Sequence, residues 1–479
     1  MNVVTRFAPS PTGFIHVGNV RTALYAWLFA RKYGGRFILR IEDTDKVREV
    51  DGSIPHIIES LKWLGIEWDE GVDRGGPHAP YLQSKRLELY RSYAKRLIDS
   101  GHAYPDPYSE EELEAFRNKA VEEKRPFLFR DHRPETIQVW DGKKPLRFRA
   151  PSIRRYEWND VVRGHLSAGE EAIDDFILIK GDGYPTYNFA HIVDDIEMGV
   201  THVMRGEEFI SSTPKFLSLY EALGATPPEF VTMPVILGPD GKKKLSKRDG
   251  AKDILDYRTE GYLPEAMMNF LALLGWNPGT PQEFFSPTEL IEAFDLTRIQ
   301  ISGAGFDETK LRSVNQHWMR ALSVEDFITK GNLSAPDTGK LRRIVPLLKE
   351  RVQTFEEARE MLSGELSCFF TAPELDLKQL TAKEPEERSG MTKSALESLL
   401  EPLTALQNDV SAEAVKIMLM PIADAEEVKG KGGRGAVLWP LRYALSGQER
   451  SPDPFTLISI LGKEEAISRI QKAVGILGE

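Results

Sequence analysis

The run Arg6-Phe7-Ala8-Pro9-Ser10-Pro11-Thr12-Gly13-Phe14-Ile15-His16-Val17-Gly18-Asn19 constrains the fold of this chain more than any other segment. The apolar, β-prone residues Val3, Val4 and Phe7 enter a Pro/Gly turn, after which His16, Gly18 and Asn19 open a helical pattern that runs to Tyr33. Strand, tight loop and helix N-terminus in that order bring backbone amides, small residues and an imidazole to one mouth. The first amides of a helix attract phosphate, and glycine lets a nucleotide come close to the backbone. Far along the chain, Lys242-Lys243-Lys244-Leu245-Ser246-Lys247-Arg248 forms a second basic element. Together they predict a nucleoside triphosphate held from two sides.

The surrounding pattern is α/β. Gly34-Gly35 closes the first helix, and Arg36–Ile41 reads as a second strand that ends in Glu42-Asp43-Thr44-Asp45. Ile54, Ile57, Ile58, Leu61 and Leu64 then recur at helical spacing. Strand-helix-strand alternation implies a parallel sheet with ligands at the carboxyl ends of the strands, so Glu42 shares a rim with the Arg6–Gly18 loop. From about residue 100 the texture becomes α+β: a charged helix over Glu110–Lys124, then Arg-rich, Pro-punctuated segments with short β runs at Leu146–Arg149 and Phe176–Lys180. The α/β pattern resumes with Tyr184–Asp195, a strand over Thr201–Arg205, a helix over Thr213–Leu223 and a single strand over Val231–Leu237. Beyond Gly250 strands disappear, and helices are predicted to the end of the chain. The expected organisation is a discontinuous Rossmann-type domain (1–99 and 186–250), an insertion (100–185), a helical domain (251–322) and a second helical domain (323–479), where the length of 479 residues alone suggests about three domains.

Composition excludes several classes. The single cysteine, Cys368, rules out an internal disulfide and a cysteine-rich zinc site. No apolar run approaches the ~20 residues of a membrane span and the first residues lack a secretory h-region, so a cytoplasmic location is expected. A net charge of −11 argues against a uniformly basic nucleic-acid surface. Local basic clusters remain at 242–252, 340–351 and 429–434, and local potential outweighs the net value.

With these residues in hand, the chain resembles the bacterial-type glutamyl-tRNA synthetases, class I aminoacyl-tRNA synthetases. Pro9–Asn19 is similar to their "HIGH" region and Lys244-Leu245-Ser246-Lys247-Arg248 to their "KMSKS" loop. Arg40–Asp45, Gly183–Phe189, Val193-Asp194-Asp195 and Arg205–Glu208 match in the same order. The resemblance covers roughly residues 1–320 closely, and the helical remainder fits an anticodon-binding part. Some relatives carry zinc in the insertion; here His102–Tyr108 has no cysteine, and no zinc is predicted.

The resemblance implies a two-step reaction. The α-carboxylate of L-glutamate attacks the α-phosphate of ATP, and the terminal adenosine of tRNA then takes the glutamyl group. Such chemistry needs positioning and charge stabilisation rather than a nucleophilic side chain. His16, Lys244 and Lys247 are the expected catalytic groups. ATP contacts are implied at Pro9, His16, Gly18, Asn19, Glu208, Lys244, Ser246, Lys247 and Arg248, with Mg²⁺ arriving on the ATP. Glutamate contacts are implied at Arg6, Ala8, Ser10, Glu42, Tyr187 and Arg205, and His191 is a further candidate. Arginine forks suit carboxylates: Arg6 is expected at the side-chain carboxylate, the partner of Arg205 is open, and Glu42 suits the α-ammonium. For Arg6 and Arg205 the competing reading is a structural ion pair; for His16 it is a helix cap.

The insertion is expected to hold the tRNA acceptor end and the helical tail to read the anticodon, with Arg342, Arg343, Arg351 and Arg434 as candidate phosphate contacts or as solvated surface. The partners implied are tRNA-Glu, and tRNA-Gln if the enzyme does not discriminate, with a monomeric chain and no membrane. Other readings are a short paralogue that modifies a tRNA base, a glutaminyl ligase, whose anticodon part is a β-barrel, and a non-catalytic tRNA-binding protein. The length and helical tail count against the first two, and the intact His16 and lysine segments against the last.

Overall fold

The computed structural model describes residues 2–245, 252–382, 384–407, 409–425 and 433–478. They form two units. One takes in the chain up to Arg258 together with Leu263–Val314; the other takes in Thr259–Tyr262 and the chain from Asn315.

In the first unit, the strand Val4–Phe7 pairs in parallel with Arg36–Leu39, which pairs in parallel with Glu70–Gly71. A second group runs His202–Gly206, Glu229–Met233, Tyr156–Asp160 and Gly164–Ala168; only the last pairing is antiparallel. The groups meet where the Thr201 amide donates to the Val4 carbonyl at 2.9 Å and the Val4 amide donates to Thr201 Oγ1 at 2.9 Å. Strand order therefore reverses between Val4–Phe7 and His202–Gly206. In an open parallel sheet that reversal leaves a crevice at the carboxyl ends of the strands, and Arg6 and Arg205 stand on its two sides.

The helix Val17–Lys32 crosses behind this seam. Val20, Ala23, Leu24, Ala26 and Leu28 are fully buried, because strands cover one face of the helix and the helices Pro264–Leu273 and Pro287–Ala293 the other. At about 1.5–3 kcal/mol for each large apolar side chain removed from water, this helix is a principal stabilising element of the unit. Gly34, at φ +61°, follows its last turn.

The structure departs from the sequence expectations at three places. The single strand expected over Val231–Leu237 is two, Glu229–Met233 and Ile236–Leu237. Pro234 parts them, since it lacks an amide for the ladder, and Arg21 takes its carbonyl. Strands do not end at Gly250: Ala304–Gly305 pairs in parallel with Ile236–Leu237. Two residues, one of them glycine, are too short for any periodicity to reveal. Finally, the hairpin Tyr156–Asp160/Gly164–Ala168 joins the central sheet through Phe230 opposite Asp160, so within 100–185 only the sheet Ala103–Pro105, Leu146–Phe148, Ile177–Ile179 stands apart.

The second unit contains no strand among its described residues. Its helix Pro385–Ala405 opens on Pro385, where a helix start tolerates a missing amide. Leu396, Leu399 and Leu403 share a buried face of that helix, which packs on the helix Lys463–Ile476 with its buried Ala466, Ile470 and Ala473. Among the described residues, no helix is long and apolar enough to cross a membrane.

Candidate functional site

The crevice at the strand reversal is a cavity of about 460 Å³. Arg6, Ala8, Pro9, Ser10, His16, Gly18, Asn19, Glu42, Tyr187, Arg205, Glu208 and Lys244 all line it. Residues from the amino-terminal loop, the second strand and the region beyond residue 185 are thus gathered at one place. Ser246, Lys247 and Arg248 lie outside the described residues.

His16 caps the helix Val17–Lys32. Its Nδ1 accepts from the Gly18 amide at 3.0 Å, and its own amide donates to Asn19 Oδ1 at 3.2 Å, closing a reciprocal cap. An Nδ1 that accepts from an amide carries no proton, so the neutral ring carries its proton on Nε2. The cap and the phosphate-donor readings of His16 are therefore compatible: the cap sets the tautomer that makes Nε2 a donor. Gly18 serves this arrangement directly. A Cβ there would lie 2.9 Å from His16 Cε1 and 3.1 Å from Nδ1.

Beneath the cavity runs a buried charge network that the sequence reading did not assemble. Arg6 donates through Nε to Asp195 Oδ1 (3.1 Å) and through Nη2 to Asp195 Oδ2 (3.4 Å), so the structural pairing is realised. Arg40, fully buried, donates to Asp195 (2.8 Å) and Glu42 (3.0 Å) and lies 3.7 Å from Asp194. Asp194 accepts in addition from Gln83, Arg86 and Tyr90 at 2.7–2.9 Å. Burial opposes ionisation of Asp195, but the Arg6 and Arg40 guanidiniums prevail and hold its carboxyl at about 2. At Glu42 the balance is reversed. Burial pushes its carboxyl up to about 7 against the pull of Arg40 and Arg6. Asp43, its neighbour, turns away to accept from the Ser84 amide and hydroxyl.

Arg205 is 6 % exposed, and no carboxylate among the described residues forms an ion pair with it. Its Nη2 donates to Thr213 Oγ1 at 2.8 Å, and its guanidinium lies 4.8–5.6 Å from the ring centres of Phe209, Phe216 and Phe230. Burial pulls it down to about 10. A buried cation among rings, lacking a counter-ion, is a receptor for an anion. Tyr187 starts the helix Tyr187–Glu197, and burial keeps its phenol protonated. His191 is not part of the cavity lining. It stacks under Tyr187 (ring centres 4.6 Å apart) with Nδ1 on the Tyr187 carbonyl (2.7 Å), and burial lowers it to about 3, so it is neutral packing beneath the site.

At the opposite side Lys244 Nζ lies 3.2 Å from Glu208 Oε1, both more than half exposed. A pair this wet contributes little stability and is readily exchanged for a charged ligand. Arg21 also lines the cavity, bonded to the carbonyls of Leu274 (3.0 Å) and Pro234. Its place one turn after Gly18 was the only sequence signal for it. No three His, Cys, Asp or Glu side chains among the described residues are grouped as metal ligands.

In the second unit the four candidate arginines are each paired with a carboxylate. Arg342 meets Glu325 (2.8 Å), Arg343 meets Asp409 (3.6 Å), Arg351 grips Glu365 (2.7 and 2.8 Å) and Arg434 grips Asp424 (2.5 and 2.9 Å).

Two family models match consecutive parts of the chain. The catalytic domain of class I tRNA synthetases (E and Q) matches residues 2–313, and an anticodon binding domain matches residues 313–474. The glutamate–tRNA ligase of Heliobacterium modesticaldum is 40 % identical over 497 aligned positions, covering 100 % of this chain and 98 % of its own. That of Carboxydothermus hydrogenoformans is 42 % identical, covering 98 % of this chain and 99 % of its own. Among solved structures, a glutamate tRNA ligase from Elizabethkingia meningosepticum in complex with its amino acid superposes with a TM-score of 0.85 at 38 % identity, each chain covered completely.

Proposed function

We propose that this chain, which belongs to the class I tRNA synthetases of the E and Q group, ligates L-glutamate to tRNA-Glu with ATP, through glutamyl-adenylate. An oxygen of the glutamate α-carboxylate attacks the α-phosphorus of ATP, and pyrophosphate leaves. The 2′-hydroxyl oxygen of the terminal adenosine then attacks the acyl carbon, and AMP leaves as the ester forms. ATP brings Mg²⁺ with it; no zinc takes part.

The observation that carries this reading is one cavity holding an anion receptor, Arg205, an acid suited to an ammonium, Glu42, and a helix N-terminus capped by His16. Glutamate offers two carboxylates and one ammonium. The side-chain carboxylate is assigned to Arg205 rather than Arg6, because two donors of the Arg6 fork are already engaged with Asp195. Arg6 instead keeps Asp195 ionised and adds positive potential beside the substrate. Ala8, Ser10 and Tyr187 complete the walls of the glutamate site. Pro9, Gly18 and Asn19 lie along the adenosine and phosphate path, and His16 Nε2–H donates to a phosphate oxygen. Lys244, released from Glu208, and Lys247 neutralise the departing pyrophosphate. Glutamine is rejected because its neutral amide leaves the Arg205 cation uncompensated. The second unit reads the anticodon, with Arg342, Arg343, Arg351 and Arg434 exchanging carboxylates for phosphates at little cost. The chain acts as a monomer in the cytoplasm.

Charging with labelled glutamate, ATP and Mg²⁺ tests this. Purified tRNA-Glu should be acylated. Acylation of tRNA-Gln as well would make the enzyme non-discriminating, and acylation of neither would overturn the assignment.

A further inference from the structure

We infer that Asp253 and His56 are positioning residues for His16, a role that rests on the reading of His16 as a phosphate donor. His16 is presented by the loop 13–16, and four neighbours hold that loop from behind. Ser53 Oγ donates to the Gly13 carbonyl at 2.8 Å. The Phe14 ring stacks on the His56 ring, with centres 4.5 Å apart and planes 18° from parallel. The Ile254 amide donates to the Ile15 carbonyl at 3.2 Å, and Asp253 forms an isolated antiparallel bridge with His16 itself.

A single oxygen joins these supports. Asp253 Oδ1 accepts from His56 Nε2 at 2.6 Å and from the Leu255 amide at 2.9 Å, where it caps the start of the helix Ile254–Thr259. His56 Nδ1 has no hydrogen-bond partner among the described residues, so the bond to Asp253 and the stack on Phe14 fix the ring. His56 is 10 % exposed and Asp253 22 %, dry enough for a short bond to a carboxylate to be a strong one. A further tie between these segments, Arg258 to Glu59 at 2.7 Å, is about half exposed on both sides and contributes little. Neither Asp253 nor His56 lines the cavity. Their route to the reaction is the backbone that carries the His16 ring, and a displacement of about 1 Å at a positioned group costs roughly 10²-fold in rate.

A double-mutant cycle on the full chain decides the matter, read by ATP–pyrophosphate exchange with tRNA-Glu present. Asp253→Ala and His56→Ala should each lower kcat about tenfold while leaving the KM for glutamate within about twofold, whereas His16→Ala should lower kcat by roughly 10²–10³-fold. In the His16→Ala background, Asp253→Ala should change kcat by less than about twofold, because no ring is left to aim. His56→Gln, which keeps a donor, should recover part of the loss. Asp253→Asn keeps an acceptor for the Leu255 amide and gives the same cycle if the alanine variant is too unstable to assay. Losses that multiply in the His16→Ala background, or a parallel rise in the KM for glutamate, would show a general stabilising role and overturn the inference. An inactive wild-type chain would instead overturn the proposed function.

Discussion

Arg205→Met will lower kcat/KM for glutamate by roughly 10³-fold and at the same time raise the thermal stability of the first unit. The two effects have one cause. Removing Arg205 from water pulls its guanidinium down to about 10, and Asp195, which forms no ion pair with it, offsets that only in part. Methionine fills a similar volume between Phe209, Phe216 and Phe230. It gives up the bond to Thr213 and three cation–ring contacts, together about 1–3 kcal/mol. It also removes a desolvation penalty of several kcal/mol, so the net gain is about 1–2 kcal/mol. Destabilised binding sites that gain stability when disarmed are a general expectation. Steady-state kinetics and a thermal melt of the same preparation check both halves. A variant that melts earlier than the wild type would mean that the aromatic ring set already satisfies the cation. A variant that keeps its preference for glutamate over glutamine would move side-chain recognition back to Arg6.

The elements of this chain were legible in its sequence where a local pattern determines them. The helix Thr213–Leu223 falls at the residues the sequence indicates, and the opening strand, loop and helix carry their own signals in Val4, Gly13 and His16. What stayed hidden depends on topology. The strand break at Pro234 is a local signal overridden in the reading by the β-prone residues on both sides. The pairing of Asp160 with Phe230 joins distant segments, and no periodicity announces it. The site shows the same division. Residues in recognisable motifs converge on the cavity, yet the distribution of charge among them was out of reach. Arg40, Asp194 and Asp195 stand in matched motifs, but nothing local says that the parallel sheet buries them together, and that burial commits Arg6 to Asp195 and leaves Arg205 without an ion pair. His191 could not be separated from Tyr187 by pattern alone, since both lie on the first turns of one helix. Packing makes one a wall of the cavity and the other its support.

The apparent affinity for glutamate should weaken about tenfold between pH 8 and pH 6, and Glu42→Gln should abolish that dependence. Burial, partly offset by Arg40 and Arg6, places the Glu42 carboxyl at about 7 in the empty site. An α-ammonium needs the carboxylate. With a value near 7, the fraction ionised is about 90 % at pH 8 and about 10 % at pH 6, so binding must displace a proton at the lower pH and the KM rises accordingly. The sign is that of a raised acid: acidification favours the protonated empty site and opposes the substrate. Two buried neighbours of the site are silent over this window. His191, held at about 3, remains neutral, and Asp195, held at about 2, remains charged. The carboxylates and ammonium of free glutamate do not titrate there either. At pH 8, Glu42→Gln should lower kcat/KM by about 10²-fold, the loss typical of truncating a buried charge pair. At pH 6 the deficit should shrink to roughly tenfold, because most wild-type sites are already protonated. Calorimetric titration at pH 6.5 in buffers of different ionisation enthalpy reads the same event directly, as a fraction of a proton released per glutamate bound. A KM that stays flat from pH 6 to pH 8 would mean that Glu42 is ionised before substrate arrives. The ammonium would then enter a carboxylate already prepared by Arg40, and the pH dependence of the reaction would have to come from the phosphate side of the cavity.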